Sequence, residues 1–240
     1  MSNRKIIISG GSRGIGAECV RLFAANGDRV TFIYRNDDAA AERIRTATGA
    51  YAVKADLSDA KAAADAFRRC ADELGGCDVL VNNAGTACIG LLTDSGDDEI
   101  SRLLAVDLQA PVILCREASR IMVRQHSGRI VNIGSVWGRL GASCETVYSA
   151  AKSGIRGLTS ALAKELGPSG ITVNCVEPGV IGTDMNAVLD AVTLAQLKDE
   201  TPLGRIGTPR DVAEAVFFLA SDSASFITGA AVPVDGGFPA

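Results

Sequence analysis

A chain of 240 residues with 47% hydrophobic and 22% charged side chains can bury a sizeable core, far from the polar, highly charged compositions that stay disordered. Its formal net charge of -4 disfavours phosphate backbones and anionic bilayers, so neither a nucleic acid nor a membrane is an expected partner. Seven cysteines (Cys19, Cys70, Cys77, Cys88, Cys115, Cys144 and Cys175), scattered and never in a C-x-x-C pair, argue against a disulfide frame and against zinc, and no metal is expected.

Short runs rich in β-branched residues recur at 5–9, 29–34, 51–55, 78–82, 129–133, 171–176 and 230–234, and predict buried strands. The first holds only Ile6-Ile7-Ile8, too brief for a signal-peptide core or a membrane span, so a cytoplasmic protein is expected. Helical spacing fills the gaps: Ile15, Cys19, Leu22 and Phe23 fall at i, i+4, i+7 and i+8, one apolar stripe facing a sheet. Such alternation favours parallel strands joined by right-handed crossovers. The predicted fold is therefore α/β: a single-domain, Rossmann-type, doubly wound parallel sheet of about seven strands with helices on both faces. No repeat or Pro/Ser-rich linker divides residues 1–240, and residues 183–207 and 235–240 read as a lid and a tail. The lone histidine, His126, sits in the polar turn Gln125-His126-Ser127-Gly128, which argues against a Ser-His-Asp triad.

After the first predicted strand, Ser9-Gly10-Gly11-Ser12-Arg13-Gly14-Ile15-Gly16 runs straight into the amphipathic helix. A phosphate needs backbone close by and free donors; glycines allow the close approach, and a helix N-terminus supplies N–H groups and partial positive charge. The spacing Gly10, Gly14, Gly16 differs from G-x-G-x-x-G, and the same residues also fit a strand-to-helix turn with no ligand. Their place between strand and periodic helix points to dinucleotide binding. The second predicted strand ends in Tyr34-Arg35-Asn36, where this kind of fold reads the ribose. An acid there suits NAD(H), whereas Tyr34 with Arg35 beside it and Arg13 in the loop favours the 2′-phosphate of NADP(H). Asp37 and Asp38 carry the opposing charge; they read as caps of the next helix, with Asp37 also in reach of a ribose.

Further on, Tyr148 and Lys152 stand four apart in a segment that continues through Ile155, Leu158, Leu162 and Leu166, so both face one side of a helix. A free phenol has a pKa of about 10; a fixed ammonium nearby favours the phenolate and eases proton exchange. Alone, the pair also fits an exposed helical contact. Together with the glycine loop it resembles the short-chain dehydrogenase/reductase family, and the resemblance spans essentially the whole chain.

That resemblance implies roles residue by residue. Asn82-Asn83-Ala84-Gly85 matches the family's sheet-stabilising signature, with Asn83, Ala84 and Gly85 beside the cofactor. Ser12, Arg13, Gly14 and Ile15 would hold the phosphates, and Asp56 with Leu57 the adenine, although Asp56 reads nearly as well as a helix cap beside Ser58. Ser135, in Ile133-Gly134-Ser135, matches the catalytic serine; Pro178-Gly179, Ile181 and Thr183 match the turn beside the nicotinamide. The family's chemistry would have Tyr148 protonate a substrate carbonyl oxygen, Ser135 polarise it, and Lys152 bind the nicotinamide ribose while depressing the tyrosine pKa. A homotetramer is also implied.

One position departs: Val106-Asp107-Leu108 stands where the family usually has a catalytic asparagine. An amide donates and accepts, whereas a carboxylate only accepts. Asp107 would hold Lys152 protonated yet oppose phenolate formation at Tyr148, so the expectation is a retained backbone kink with a changed pH profile. Thr183-Asp184-Met185, Leu203-Gly204-Arg205-Ile206-Gly207 and the C-terminal Val234-Asp235-Gly236-Gly237 look most like bacterial 3-oxoacyl-[acyl-carrier-protein] reductases of fatty acid biosynthesis. The partner would then be a carrier-protein-bound carbonyl. Basic residues expected near the entrance are replaced by His126 and Ser169, although Arg124, Arg129 and Arg139 are close in sequence. Ser143-Cys144-Glu145-Thr146-Val147 also departs from that subfamily, which leaves a small-molecule ketone, sugar or polyketide-like carbonyl open. Trp137 fits either a pocket wall or packing on a helix. A non-catalytic NADP-binding scaffold or sensor, disabled by Asp107, is the rival of another class.

Overall fold

The computed structural model describes residues 3–183 and 190–238. Their strands form one seven-stranded parallel sheet in the order β3-β2-β1-β4-β5-β6-β7. These are β1 (Lys5–Ser9), β2 (Arg29–Tyr34), β3 (Tyr51–Lys54), β4 (Val79–Asn82), β5 (Gly128–Ile133), β6 (Ile171–Pro178) and β7 (Ala231–Val234). Successive side chains of a strand point to opposite faces, and both faces are covered. Ile7 and Leu80 therefore pack with Phe67, Leu114 and Val173 on one side, while Ile6, Ile8 and Val81 pack with Phe23, Phe32 and Val216 on the other. Two buried faces explain why the strands read as apolar runs rather than as an alternation.

On the first face lie α3 (Ala60–Leu74), α5 (Ala110–Gln125) and α7 (Thr146–Leu166); on the second lie α1 (Gly14–Ala25) and α9 (Pro209–Leu219). From the stripe predicted for α1, Cys19 and Phe23 are fully buried, and Ile15 and Leu22 pack at its margin. Between β2 and β3, α2 (Asp38–Thr48) starts at Asp37, whose carboxylate accepts from the Ala40 N–H at 2.8 Å, so Asp37 is a cap. Further along, α4 (Asp97–Leu104) runs into α5 through a π-turn, Ala105–Gln109. This is the expected kink. His126 ends α5 exposed, in a left-handed conformation (φ 52°).

Two expectations need adjustment. β6 runs two residues past the predicted end, because β7 pairs with it as far as Pro178↔Val234, and this fixes Pro178 and Gly179 at the sheet's C-terminal edge. In the segment read as a tail, Phe238 is buried, with its ring edge-on to Trp137 at 5.8 Å, so Trp137 packs on this segment, a partner not foreseen, and does not line the groove at the strands' C-terminal ends. Of the segment read as a lid, residues 190–207 carry α8 (Ala191–Asp199), and the bridge Ile181↔Gly207 joins its last residue to the chain just ahead of it. Asp184 and Met185 lie outside the described residues. No helix among the described residues is long and apolar enough to cross a membrane.

Candidate active site

Strand order reverses between β1 and β4, and the loops leaving them part to open a crevice at the strands' C-terminal ends. The β1–α1 loop makes one wall. Gly10 (φ 70°) and Gly14 (φ 55°) adopt left-handed conformations that side-chain-bearing residues rarely take. A Cβ on Gly10 would also lie 2.9 Å from the Ala84 Cα, and one on Gly16 would collide with the Gly10 carbonyl oxygen. The Asn83 side chain locks this wall to β4, its amide donating to the carbonyls of Ser9 and Gly10 at 3.0 Å each, while Ser9 Oγ accepts from the Asn83 and Ala84 N–H groups. Lower down, Asn82 donates to Asn132 at 2.8 Å, tying β4 to β5. Asn82, Asn83 and Ala84 thus each make a hydrogen bond that holds β4 to a neighbouring strand or loop.

The resulting groove holds about 770 Å³. One end is walled by Tyr34, Arg35, Asn36, Asp56 and Leu57, the middle by Ser12, Arg13, Gly14, Ile15, Asn83, Ala84 and Gly85. At the far end stand Ser135, Tyr148, Lys152, Pro178, Gly179, Ile181 and Thr183. Tyr148 and Lys152 come from the first turns of α7, which is pressed against α6 (Val136–Leu140): a Cβ on Gly138 would lie 2.7 Å from the Lys152 backbone carbonyl carbon. Ser135 caps α6, its Oγ accepting from the Trp137 N–H at 3.2 Å, and acts on Tyr148 in the direction that favours the phenolate. Lys152 Nζ donates to the Ile133 carbonyl at 3.2 Å and lies 5.4 Å from the Tyr148 ring centre.

Beneath this end lies Asp107, fully buried in the π-turn. Its Oδ1 accepts from the Thr86 N–H at 2.8 Å, and its Oδ2 is 3.2 Å from Lys152 Nζ. Burial works hardest against the Lys152 cation, but Asp107, with Tyr148 and Cys175 adding to it, more than offsets burial and holds the ammonium above its ordinary range. For Asp107 itself burial prevails over Lys152 and Thr86 and raises the carboxyl. Tyr148 is also raised, first by burial; Asp107 and Glu145 add to the rise, and Lys152 with Ser135 only partly offsets it. The expected net depression of the phenol by Lys152 is therefore corrected: the ammonium acts in that direction, and burial with two carboxylates wins.

Comparison with known proteins agrees with this architecture. The family model described as Enoyl-(Acyl carrier protein) reductase matches residues 10–239. A short-chain dehydrogenase/reductase of Serratia marcescens superposes with a TM-score of 0.92 at 37% identity, covering 99% of this chain and 98% of that one. The chain belongs to the short-chain dehydrogenase/reductase family. Among curated relatives of this oxidoreductase, the 3-oxoacyl-[acyl-carrier-protein] reductase FabG of Chlamydia pneumoniae is 37% identical over 98% of this chain and 96% of its own. The cyclic-di-GMP-binding biofilm dispersal mediator protein of Escherichia coli is 40% identical over 100% and 98%. A crystal structure of BdcA in complex with NADPH superposes with a TM-score of 0.91 at 39% identity, covering 100% of this chain and 96% of that one.

Of the site residues named from the sequence of this dehydrogenase/reductase, Gly16 and Asp107 do not reach the groove wall. Gly16 lets α1 pack on the loop, and Asp107 acts from behind Lys152. Asp56 reaches it with its carboxylate already engaged: Oδ1 accepts from Ser58 N and Oγ, and Oδ2 pairs with Arg102 at 2.9 Å. Thr86, Ala87, Ile89 and Val106 also line the groove and were not foreseen, since they carry no chemistry of their own and follow only from flanking Gly85 and Asp107.

Proposed function

We propose that this chain reduces a carbonyl to an alcohol with NADPH, and that its substrate is a 3-oxoacyl thioester. The observation that carries the reading is one continuous groove with Arg35 at one end, Arg13 in the middle and the Ser135, Tyr148 and Lys152 side chains at the other end. The wall fits a dinucleotide: the glycine positions leave a cradle that a Cβ would fill, and guanidiniums match a phosphate in forked geometry. When bound, NADPH supplies the hydride for the reduction.

The protein's part is proton transfer and positioning. Tyr148, kept neutral by burial, has a proton to give to the carbonyl oxygen. Ser135, fixed as the cap of α6, orients and polarises that oxygen. Lys152 has one donor on Ile133, faces Asp107 with another, and lines the groove where a ribose hydroxyl would meet the third. An acyl chain is supported by exposed Ile89 on the groove wall and by exposed Leu92 beside Thr146 and Val147 at the start of α7. The name of its 3-oxoacyl-[acyl-carrier-protein] reductase FabG relative points the same way.

The test follows NADPH absorbance with acetoacetyl thioesters and a panel of small ketones and sugars. Thioesters should be preferred, and Tyr148→Phe should lower kcat by about 10²–10⁴-fold, the usual share of a general acid. A preference for free ketones would move the substrate assignment to that class. Full NADPH binding with no turnover of any carbonyl would favour the sensor reading.

A further inference from the structure

The carboxylate in contact with the site's lysine, Asp107, is fully buried. Asp107 is 0% exposed and Lys152 4%, so water screens their 3.2 Å contact weakly. Nothing about the carboxylate is free to swing. Oδ1 is anchored by the Thr86 N–H, and the π-turn supplies the extra backbone residue that turns position 107 inward. Gly85 is part of the same device: a Cβ there would sit 2.9 Å from Asp107 Oδ2 and 3.5 Å from Lys152 Nζ, inside the pair.

We propose that Asp107 is a positioning residue that compensates the charge of Lys152, keeps the Tyr148 hydroxyl protonated, and so sets the site to give a proton to a carbonyl rather than to take one from an alcohol. The inference rests on the reading of Tyr148 as the proton donor. An ammonium facing a phenol favours the phenolate; the same ammonium with a carboxylate at 3.2 Å presents a dipole, whose pull falls off faster with distance. The overall equilibrium between carbonyl and alcohol is untouched. What moves is the pH at which each direction reaches its limit: reduction needs the phenol and oxidation the phenolate.

The other groups around the pair do not restore the balance. On β6, the Cys175 thiol is pushed up to about 12, chiefly by burial, and stays neutral, while Glu177 is taken up by an ion pair with Arg156 of α7. Ahead of α7, Glu145 is negative as well, and pushes Tyr148 in the same direction as Asp107. Ser135 and Thr86 are uncharged.

The experiment reads Tyr148 directly. The protein has three tyrosines, so ¹³C labelling at Cζ gives three resonances, and Tyr148→Phe identifies the one of interest. Titrated without cofactor or substrate, wild-type Tyr148 is expected above free tyrosine, and in Asp107→Asn it should fall by about 1–3 pH units, the usual effect of an adjacent opposite charge. The falling limb of kcat/KM for reduction should move down by the same amount. Should the Asn variant not fold, Asp107→Ser, which keeps an acceptor for the Thr86 N–H, is read instead. A Tyr148 that titrates at or below free tyrosine in the wild type, or that does not move in either variant, overturns the proposal. Because the resonance is followed without turnover, an absent carbonyl reductase activity would sink the functional reading and leave this measurement standing.

Discussion

Tyr34 and Arg35 are neighbours at the end of β2 with different engagements. Tyr34 donates its hydroxyl to Asp38 at 2.9 Å, and Asp38 pairs with Lys54 at 2.7 Å, which fixes the phenol toward α2. Arg35 lines the groove beside it, and is the residue on which a 2′-phosphate preference can rest. Arg35→Ala should weaken NADPH roughly 10- to 100-fold, the worth of a charge-assisted hydrogen bond, and leave NADH nearly unchanged. Calorimetric titration with both nucleotides checks this; equal losses would remove Arg35 from phosphate recognition. The residue types at this end were legible in the sequence because charge alone suggests the ligand. Partners far apart in sequence were not: Asp56 meets Arg102 across 46 positions, and no local spacing announces such a pair. The Asp107 contribution to the Tyr148 shift was foreseen from the sequence, but its net direction was not, since that depends first on how deeply the phenol is buried.

At the scale of elements, what reads well from sequence is what repeats locally. The strand cores at 5–9 and 29–34 coincide with β1 and β2, because a strand buried on both faces is a continuous apolar run bounded by turn residues. Where a boundary depends on a distant partner the reading stops short, as in β6, whose last pair is made with β7. The start of α9 offers a local test. Thr208 and Asp211 form a reciprocal capping box at the start of α9, with Thr208 Oγ1 accepting from the Asp211 N–H and the Asp211 carboxylate from the Thr208 N–H. Thr208→Ala should cost about 1 kcal/mol in urea unfolding at neutral pH. The Asp211 carboxyl is held low, first by Arg205 and then by Thr208, so its contribution is present at neutral pH. It is lost as acid protonates the group, and the wild-type advantage should shrink at low pH.

At the scale of the whole molecule, several large apolar side chains remain in solvent on the outer helices, among them Val112 and Val123 of α5, Phe218 of α9 and the nearby Phe226. Static light scattering of the purified protein is expected to give the mass of four chains; a monomer would show that these side chains are not covered by copies of this chain. The order of the strands along the chain has a separate bearing on biosynthesis. β1, β2, β3 and β4, which build the nucleotide cradle, are encoded by residue 82, and the Asn83 clamp follows at once. The helix of Ser135 gains its supports last: Arg139 pairs with Asp235 at 3.1 Å, and Trp137 packs on Phe238. The residues that brace the reactive end, Asp235 and Phe238, thus emerge from the ribosome seconds after those that line the nucleotide cradle, so the site's two halves are supplied at different stages of synthesis.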